Sequence, residues 1–302
     1  MFPVDDRLED PTVADGGLLP GGTKPRRMEV GLLAQRDNSR AVAVASDIRA
    51  ALAAASVDCR LDPTTAAALE VSTETDALGG FDACDLVVSV GGDGTFLFAA
   101  RAAGGVPIMG VNLGEVGFLN AVAPDEAVSA VREEVRAIRN GTQTVREAPR
   151  LTAACEGFES TPAVNEIVVS GPRRGHGGGA TVEVAVDGSP YSGGHADGVM
   201  VATPTGSTAY NLSEGGPIVH PSVGGLIINE MCPTDGMPPL VVDGDCAVEV
   251  SVTDADHAIV VSDGRRPSEL ETPVTLTVSR AEPPVRLAGP VADFFEARGK
   301  LS

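Results

Sequence analysis

The spacing of apolar residues changes part-way along this chain, and the change restricts the folds that it can adopt. Up to about residue 142, short continuous apolar runs, such as 28–34 and 85–90, alternate with segments of helical spacing. Between about 150 and 285, apolar residues mostly occupy every second position, as in Val182, Val184 and Val186. Continuous runs between helices are typical of buried parallel strands, whereas alternation is typical of antiparallel sheets. We therefore predict an α/β N-terminal domain with a parallel sheet, followed by a β-rich C-terminal domain.

The predicted domain boundaries follow from this change and from the length of 302 residues, which suits two domains of ~150 residues. Residues 1–27 are polar and rich in Pro and Gly, so we expect a disordered extension there. The α/β domain is predicted over 28–142 and the β-rich domain over 143–285. Apolar residues of the tail have helical spacing, which predicts a C-terminal helix over 286–302 that packs back on the first domain.

The charge is strongly unbalanced. The chain has 42 acidic and 22 basic residues, a formal net charge of −20, and its only lysines are Lys24 and Lys300. Such a surface repels phosphate backbones and anionic lipids, which argues against nucleic-acid and membrane partners. An acidic excess is typical of proteins that stay soluble at high salt, where the Debye length falls to ~3 Å. A GC-rich genome would also favour Arg over Lys, although it would not explain the charge.

The cysteines and the apolar runs indicate the compartment. The five cysteines are scattered without a Cys-x-x-Cys pair, which argues against a disulfide framework and against a thiolate zinc site. The N-terminal segment lacks the apolar stretch of a secretory signal, and no apolar run approaches the ~18 residues that span a bilayer. We therefore expect a cytoplasmic protein with no metal site formed by its side chains alone.

A predicted buried strand ends in the sequence VGGDGT, residues 90–95. Glycines let an oligophosphate approach the backbone N–H groups, and the N-terminus of the following helix adds the positive end of its dipole. Asp93 inside this loop would repel phosphate unless a cation intervenes or the carboxylate takes a proton. Both conditions suit phosphoryl transfer. The alternative is a tight strand–turn–helix corner with Asp93 as the N-cap.

Two further segments carry polar side chains suited to a nucleoside. Residues 197–217 run from a strand through the hydroxyl-rich sequence TPTGSTAY, residues 203–210, to a Gly-Gly-Pro stop. Their hydroxyls suit ribose and adenine edges, and Ser207 is predicted to cap the short helix that follows. Asn165 and Glu166 stand at the start of an apolar strand, where an amide and a carboxylate can clamp a ribose diol. The alternatives are an ordinary polar loop and an ordinary strand start.

These segments, in this order, resemble the NAD kinase family. The family pattern runs through GGDGT, G-x-N-x-G-x-x-G-F-L, N-E, D-G followed by T-P-T-G-S-T-A-Y and G-G-P, and a final D-G-x. Here the same elements occupy residues 91–95, 110–119, 165–166, 197–217 and 263–265. The TPTGSTAY segment is the most specific, whereas loops like GGDGT also occur in other kinases. The resemblance covers nearly the whole chain and implies the family's fold, an α/β domain followed by a β-rich domain.

The resemblance also implies an activity and residue roles. The implied reaction transfers a phosphoryl group from ATP or polyphosphate, with Mg²⁺ or another divalent cation, to the 2′-hydroxyl of the adenosine ribose of NAD, which gives NADP. Asp93 would accept the hydroxyl proton. Asn165 and Glu166 would meet that ribose, and Asp197 would meet the nicotinamide end. The implied substrate- and nucleotide-binding residues are Gly92, Gly94, Thr95, Asn165, Glu166, His195, Asp197, Thr205, Ser207, Thr208, Ala209, Tyr210, Asn211, Leu212, Ser213 and Arg265.

Two of these positions depart from the family pattern. His195 stands where many members carry a basic residue, and Arg265 stands where Gln is common. Two other functions stay open at this point: a lipid or sugar kinase that shares the GGDGT loop, and a non-catalytic dinucleotide-binding sensor on the same fold. The implied partners are the small-molecule substrates, and we expect a homo-oligomer, a dimer or a tetramer.

Overall fold

The computed structural model describes residues 26–71, 80–114, 119–175, 177–291 and 293–297. Most of the predicted extension over 1–27 therefore lies outside the described residues. Of its last two residues, Arg26 forms an ion pair with Asp85 at 2.6 Å. Within the described ranges, no helix combines the length and the apolar character that a membrane crossing requires.

The N-terminal domain is a parallel sheet with helices on both faces. Its strands are β1 (Glu29–Ala34), β2 (Asp58–Leu61), β3 (Leu86–Val90) and β4 (Ile108–Val111). Its helices are α1 (Ser39–Ala54), α2 (Pro63–Ala68), α3 (Asp93–Ala102) and α4 (Ala127–Asn140). The strands lie parallel in the order β2-β1-β3-β4. Helices α1 and α4 share one apolar core with the sheet and α3 shares another, which confirms the predicted α/β domain.

The C-terminal domain consists almost entirely of antiparallel strands. Those of the first half are β5 (Arg146–Cys155), β6 (Phe158–Glu159), β7 (Glu166–Ser170), β8 (Ala180–Val186), β9 (Ser189–Ala196) and β10 (Gly198–Ala202). After the short helix α5 (Tyr210–Ser213) come β11 (Gly225–Met231), β12 (Leu240–Asp243), β13 (Val248–Thr253), β14 (His257–Ser262), β15 (Arg265–Glu271), β16 (Val274–Leu287) and the helix α6 (Phe294–Ala297). The predicted β-rich domain is confirmed.

Two sheets enclose the core of this domain. One has the order β12-β11-β10-β7-β14-β15. The other continues the parallel sheet of the first domain, in the order β2-β1-β3-β4-β16-β13-β8-β9. Alternate residues of β8, β13 and β16 meet alternate residues of β7, β10 and β14 in one buried cluster. The apolar residues at every second position of the sequence are therefore the ones that face the inside of this sandwich.

The tail returns to the first domain as a strand rather than as the helix predicted over 286–302. Strand β16 extends to Leu287, which pairs in parallel with Ile108 of β4, so residues 286 and 287 are not helical. The pairing of β16 with β5 fixes residues 286 and 287 as strand, whereas the apolar residues with helical spacing lie beyond β16. Among the described residues, helix α6 covers Phe294–Ala297, and residue 292 and residues 298–302 lie outside them.

Candidate functional site

The GGDGT sequence forms the corner between β3 and α3, at the carboxyl edge of the parallel sheet. Helix α3 begins at Asp93, its N-cap residue is Gly92, and no side chain caps it. Asp93 is therefore not the N-cap. A Cβ at Gly91 would lie 2.8 Å from Thr95 Cβ, whereas a Cβ at Gly92 or Gly94 would meet nothing within 4 Å. The last two glycines thus leave the first N–H groups of α3 accessible, an arrangement that favours an anion.

A cavity of about 600 Å³ opens beside this loop. It lies between the ends of β1 and β3, where the strand order reverses, the usual ligand position in open α/β sheets. Arg36 and Arg265 bring positive charge to it. The residues that line this first cavity are Leu33, Ala34, Gln35, Arg36, Asp37, Asp62, Thr64, Gly92, Gly94, Thr95, Phe98 and Arg265.

The Asp93 carboxylate is oriented by a buried amide. Asn120 Nδ2 donates a hydrogen bond of 3.0 Å to Asp93 Oδ1. The Asn120 side chain is fully buried and packs against Gly110, where a Cβ would lie 2.9 Å from Asn120 Cα. The neighbouring residue Leu119 lines a second cavity. Asp93 is thus flanked by Gly92 and Gly94 of the first cavity and is hydrogen-bonded to Asn120, the neighbour of Leu119 of the second cavity.

The second cavity has a volume of about 350 Å³ and mixes apolar with hydroxyl groups. It brings together two of the predicted site residues, Thr205 and Thr208, with Phe294 of α6. The Phe294 ring contacts the His220 ring with 4.8 Å between centroids. The residues that line this second cavity are Leu119, Arg146, Glu147, Ala148, Pro149, Pro204, Thr205, Thr208, His220, Pro221, Ser222, Leu287, Val291 and Phe294.

Other side chains of the TPTGSTAY segment hold the loop itself. The Ser207 hydroxyl lies 2.7 Å from the Pro204 carbonyl and 3.1 Å from the Val219 carbonyl. Helix α5 begins after Ala209 without a side-chain cap, so the predicted capping by Ser207 is wrong. Its hydroxyl donates to loop carbonyls instead, and the buried Asn211 amide likewise donates to loop carbonyls.

The same loop rests on the start of β7. Thr203 Oγ1 donates to the Val164 carbonyl over 2.7 Å, and the Thr203 N–H donates to the Asn165 carbonyl over 2.8 Å. A Cβ at Gly206 would lie 2.8 Å from Asn165 Cα, so only glycine allows this approach. The structure therefore brings the TPTGSTAY segment and the Asn165–Glu166 pair into direct contact.

Glu166 is a buried carboxylate with an unsatisfied oxygen. The residue is 4 % exposed, and its Oε2 has no hydrogen-bond partner among the described residues. Burial, and then the negative charge of Asp263, raises the pKa of Glu166 to about 7. Buried polar atoms almost always have a partner, so this oxygen indicates a missing hydrogen-bond donor.

Eleven of the predicted site residues, Asp93 and the Asn165–Glu166 pair among them, lie outside the linings of both cavities. His195 Nε2 is 2.9 Å from the Gly178 carbonyl, and both Asp197 carboxylate oxygens are 2.9 Å from the Gly175 N–H. The Tyr210 hydroxyl accepts a hydrogen bond from Arg174. Ala209, Leu212 and Ser213 are also absent from both linings. The contacts of these residues with a ligand stay predictions.

Sequence reasoning missed several residues of the site, among them Arg36 and Asn120. Arg36 stands two residues after the end of β1, and its position near the carboxyl end of a parallel strand is the signal that could have identified it. Asn120 directly follows the motif at residues 110–119 but belongs to none of the motifs. Its contact with Asp93 joins residues 27 positions apart, which no local pattern encodes.

Comparison with known proteins agrees with this geometry. The model of the ATP-NAD kinase N-terminal domain matches residues 23–137, and that of the C-terminal domain matches residues 164–289. The NAD kinase of Halorubrum lacusprofundi is 57% identical over 278 residues, which cover 91% of this chain and 100% of the relative. The NAD kinase of Haloarcula marismortui is 57% identical over 283 residues, with the same coverage. The chain belongs to the NAD kinase family.

Solved structures of the NAD kinase family share the fold. An NAD kinase from Archaeoglobus fulgidus, crystallised in complex with ATP, superposes with a TM-score of 0.69 at 26% identity, over 91% of this chain and 97% of the other. Yeast NADH kinase, complexed with NADH, superposes with a TM-score of 0.77 at 21% identity, over 91% and 87%. The predicted family and its two-domain fold are confirmed.

Proposed function

We propose that this chain is an NAD kinase, which transfers the terminal phosphoryl group of ATP or polyphosphate to the 2′-hydroxyl of the adenosine ribose of NAD. The observation that carries the proposal is the setting of Asp93, which is flanked by two residues of the first cavity and hydrogen-bonded to Asn120, whose neighbour Leu119 lines the second. The first adjoins a glycine loop with accessible N–H groups. The second combines apolar and hydroxyl groups suited to a nucleoside.

The first cavity suits the phosphoryl donor. The uncapped start of α3 directs N–H groups and the positive end of the helix dipole at it. Arg36 and Arg265 add two guanidinium groups in a chain whose net charge is −20. These groups attract and orient the phosphates, and they stabilise the charge that develops on the transferred group.

A divalent cation is proposed to arrive with the phosphates. Among the described residues, no group of three or more His, Cys, Asp or Glu side chains could hold a metal ion. Mg²⁺ commonly binds one or two carboxylates together with substrate phosphates and water, and the donor set of the first cavity fits that pattern. Asp37 of the cavity lining would hold the ion, which would neutralise phosphate charge, and Asp93 stays available for the proton.

On the acceptor side, Asp93 takes the proton of the 2′-hydroxyl. The ribose oxygen forms its bond to phosphorus while the bond from phosphorus to the leaving phosphate oxygen breaks. The Asn120 hydrogen bond fixes the orientation of the Asp93 carboxylate. A ribose hydroxyl would satisfy the unpaired Glu166 Oε2, and Asn165 would hold the same sugar.

The experiment is a coupled assay of NADP formation with ATP and with polyphosphate, run beside equilibrium binding of NAD. We expect transfer to NAD, and binding without transfer for its 2′-deoxy analogue. A lipid or sugar kinase would not bind NAD, and a dinucleotide sensor would bind it without making NADP. Either result would overturn the proposal. The homo-oligomer, dimer or tetramer, and the cytoplasmic location stay predictions.

A further inference from the structure

The Asp263 carboxylate is wholly buried beneath the Asn165–Glu166 pair. It accepts hydrogen bonds from three consecutive backbone N–H groups, those of Val164, Asn165 and Glu166, at 2.8 to 3.4 Å. In return, the Asp263 N–H donates to the Glu166 carbonyl over 3.0 Å. Successive N–H groups of this kind form an anion-binding concavity, and here an internal carboxylate fills it. The backbone at the start of β7 is therefore held by one side chain.

The same carboxylate is joined to the helix of the phosphate loop. Arg101 lies in the last turn of α3, which begins at Asp93, and its Nη1 is 3.3 Å from Asp263 Oδ2. The Arg101 side chain is 24 % exposed, so solvent screens this ion pair only weakly. Because α3 belongs to the N-terminal domain and Asp263 to the C-terminal domain, the ion pair fixes one domain against the other.

The turn that begins with Asp263 also reaches the first cavity. Asp263 and Gly264 have φ values of 48° and 65°, as in a two-residue hairpin turn. The next residue, Arg265, lines the first cavity. One hairpin tip thus contacts the phosphate cavity, the helix of Asp93 and the backbone of Asn165.

We propose that Asp263 is a positioning residue for phosphoryl transfer, which sets the distance between Asp93 and the Asn165–Glu166 pair. It acts through the backbone of residues 164–166 and through Arg101, and it does not touch the substrate. When Asp263 holds both the backbone of residues 164–166 and Arg101, the 2′-hydroxyl lies in line with the donor phosphate. This inference rests on the proposed function, because it concerns the same site.

The charge of Asp263 provides a readout that a purely structural role lacks. Its negative charge contributes to the raised pKa of Glu166. Arg101 of α3 lies beside Asp263, with Arg265 and Arg266 of β15 around it. Only Asp263 among these charged groups shifts the pKa of Glu166, so Asp263→Asn lowers that pKa and Arg101→Gln leaves it in place. A loss of packing at this contact would instead lower the pKa of Glu166 in both variants.

The test compares Asp263→Asn and Arg101→Gln with the wild type by kcat and KM for NAD across pH. We expect kcat to fall about 10- to 100-fold, since small displacements of reacting groups cost about that much, and KM for NAD to rise. The acid limb of kcat/KM should move to lower pH in Asp263→Asn and stay in place in Arg101→Gln. Glu166→Gln should abolish that limb, which assigns it to Glu166.

Asp187→Asn is the matched control. Asp187 and Gly188 form a turn of the same kind, with φ values of 48° and 76°, and Asp187 also accepts a backbone N–H, that of Ala247. It is exposed and lines neither cavity. The control should therefore keep the kcat, KM and pH profile of the wild type.

Two results would overturn the positioning role. The first is unchanged kcat in both variants, and the second is lost activity with the acid limb moved equally, or left unmoved, in both. If Asp263→Asn fails to fold, the fall of kcat in Arg101→Gln still tests the positioning role, because the three backbone hydrogen bonds stay in place. Wild-type activity on NAD reports separately on the proposed function: an active wild type with unchanged variants refutes only the positioning role.

Discussion

Glu166→Gln should stabilise the fold against rising pH while it weakens catalysis. Burial raises the pKa of Glu166 from 4.5 to about 7, so the folded protein binds this proton more tightly than the unfolded chain does. A group of this kind contributes stability that is fully present below its unfolded pKa and is lost as the pH rises through its folded pKa. Gln does not titrate, so the wild type should lose stability relative to the variant between about pH 5 and about pH 8.

The size of the loss follows from the two pKa values. With 4.5 in the unfolded chain and about 7 in the folded protein, ionisation removes about 2 to 3 kcal/mol between about pH 5 and about pH 8. In chains of comparable size about 1 kcal/mol corresponds to about 2–4 °C in Tm. The Tm of Glu166→Gln relative to the wild type should therefore increase by about 5–10 °C across that pH range.

Thermal unfolding followed by circular dichroism, in molar KCl at each pH, measures this difference. Any unpaired amide hydrogen in Glu166→Gln adds an offset that does not depend on pH, so only the change with pH is diagnostic. Glu183→Gln is the control, because Glu183 is an exposed glutamate on β8, and its Tm difference should not change with pH. A difference that stays constant for Glu166→Gln would refute the reasoning, whichever protein is the more stable.

Three further predictions concern the catalytic base, its partner and the surface. Asp93→Asn keeps the shape but removes the base, so NADP formation should fall by about 10²–10⁴ with little change in NAD affinity by equilibrium binding; near-normal turnover would exclude the proton-acceptor role. In Gly110→Ala the new Cβ lies 2.9 Å from Asn120 Cα, so turnover should fall about 10-fold or more as Asp93 loses its orientation. Gly224→Ala, where a Cβ meets nothing within 4 Å, is the control, and equal turnover in both contradicts the role of Asn120. Melting temperature should rise from dilute buffer to molar KCl because salt screens a net charge of −20; a flat response would favour genome composition as the origin of the Arg bias.

The sequence predicted the fold wherever the apolar period was long enough to be distinctive. The continuous run before the GGDGT loop became the buried strand β3, and the alternating residues of the second half became the sandwich. Helix α2 was not predicted because its six residues carry no apolar period. The tail was predicted as a helix from local spacing, but pairing of β16 with a strand more than a hundred residues earlier determines residues 286 and 287.

Residues of a cavity lining were predictable where they lie within one motif. Gly92, Gly94 and Thr95 line the first cavity, and Thr205 and Thr208 line the second, while their contacts with substrate stay predictions. The contacts that orient them join distant residues: Asn120 to Asp93, and Arg101 to Asp263 over 162 positions. Ser207 illustrates the opposite failure, because its hydroxyl could either accept a hydrogen bond from the first N–H groups of a helix or donate to loop carbonyls, and only the folded loop decides between them.

The single pairing between Ile108 and Leu287 affects how the chain is assembled during synthesis. Strand β4 leaves the ribosome long before β16 exists. Val122 pairs with the Val111 end of its outer edge, so the Ile108 end is the part that waits for a partner while most of the C-terminal domain is made. Contacts between segments so distant in sequence also slow folding. A nascent chain, or one truncated before residue 274, therefore exposes an apolar strand edge that can pair with other chains. Strand β16 ends that exposure when it arrives.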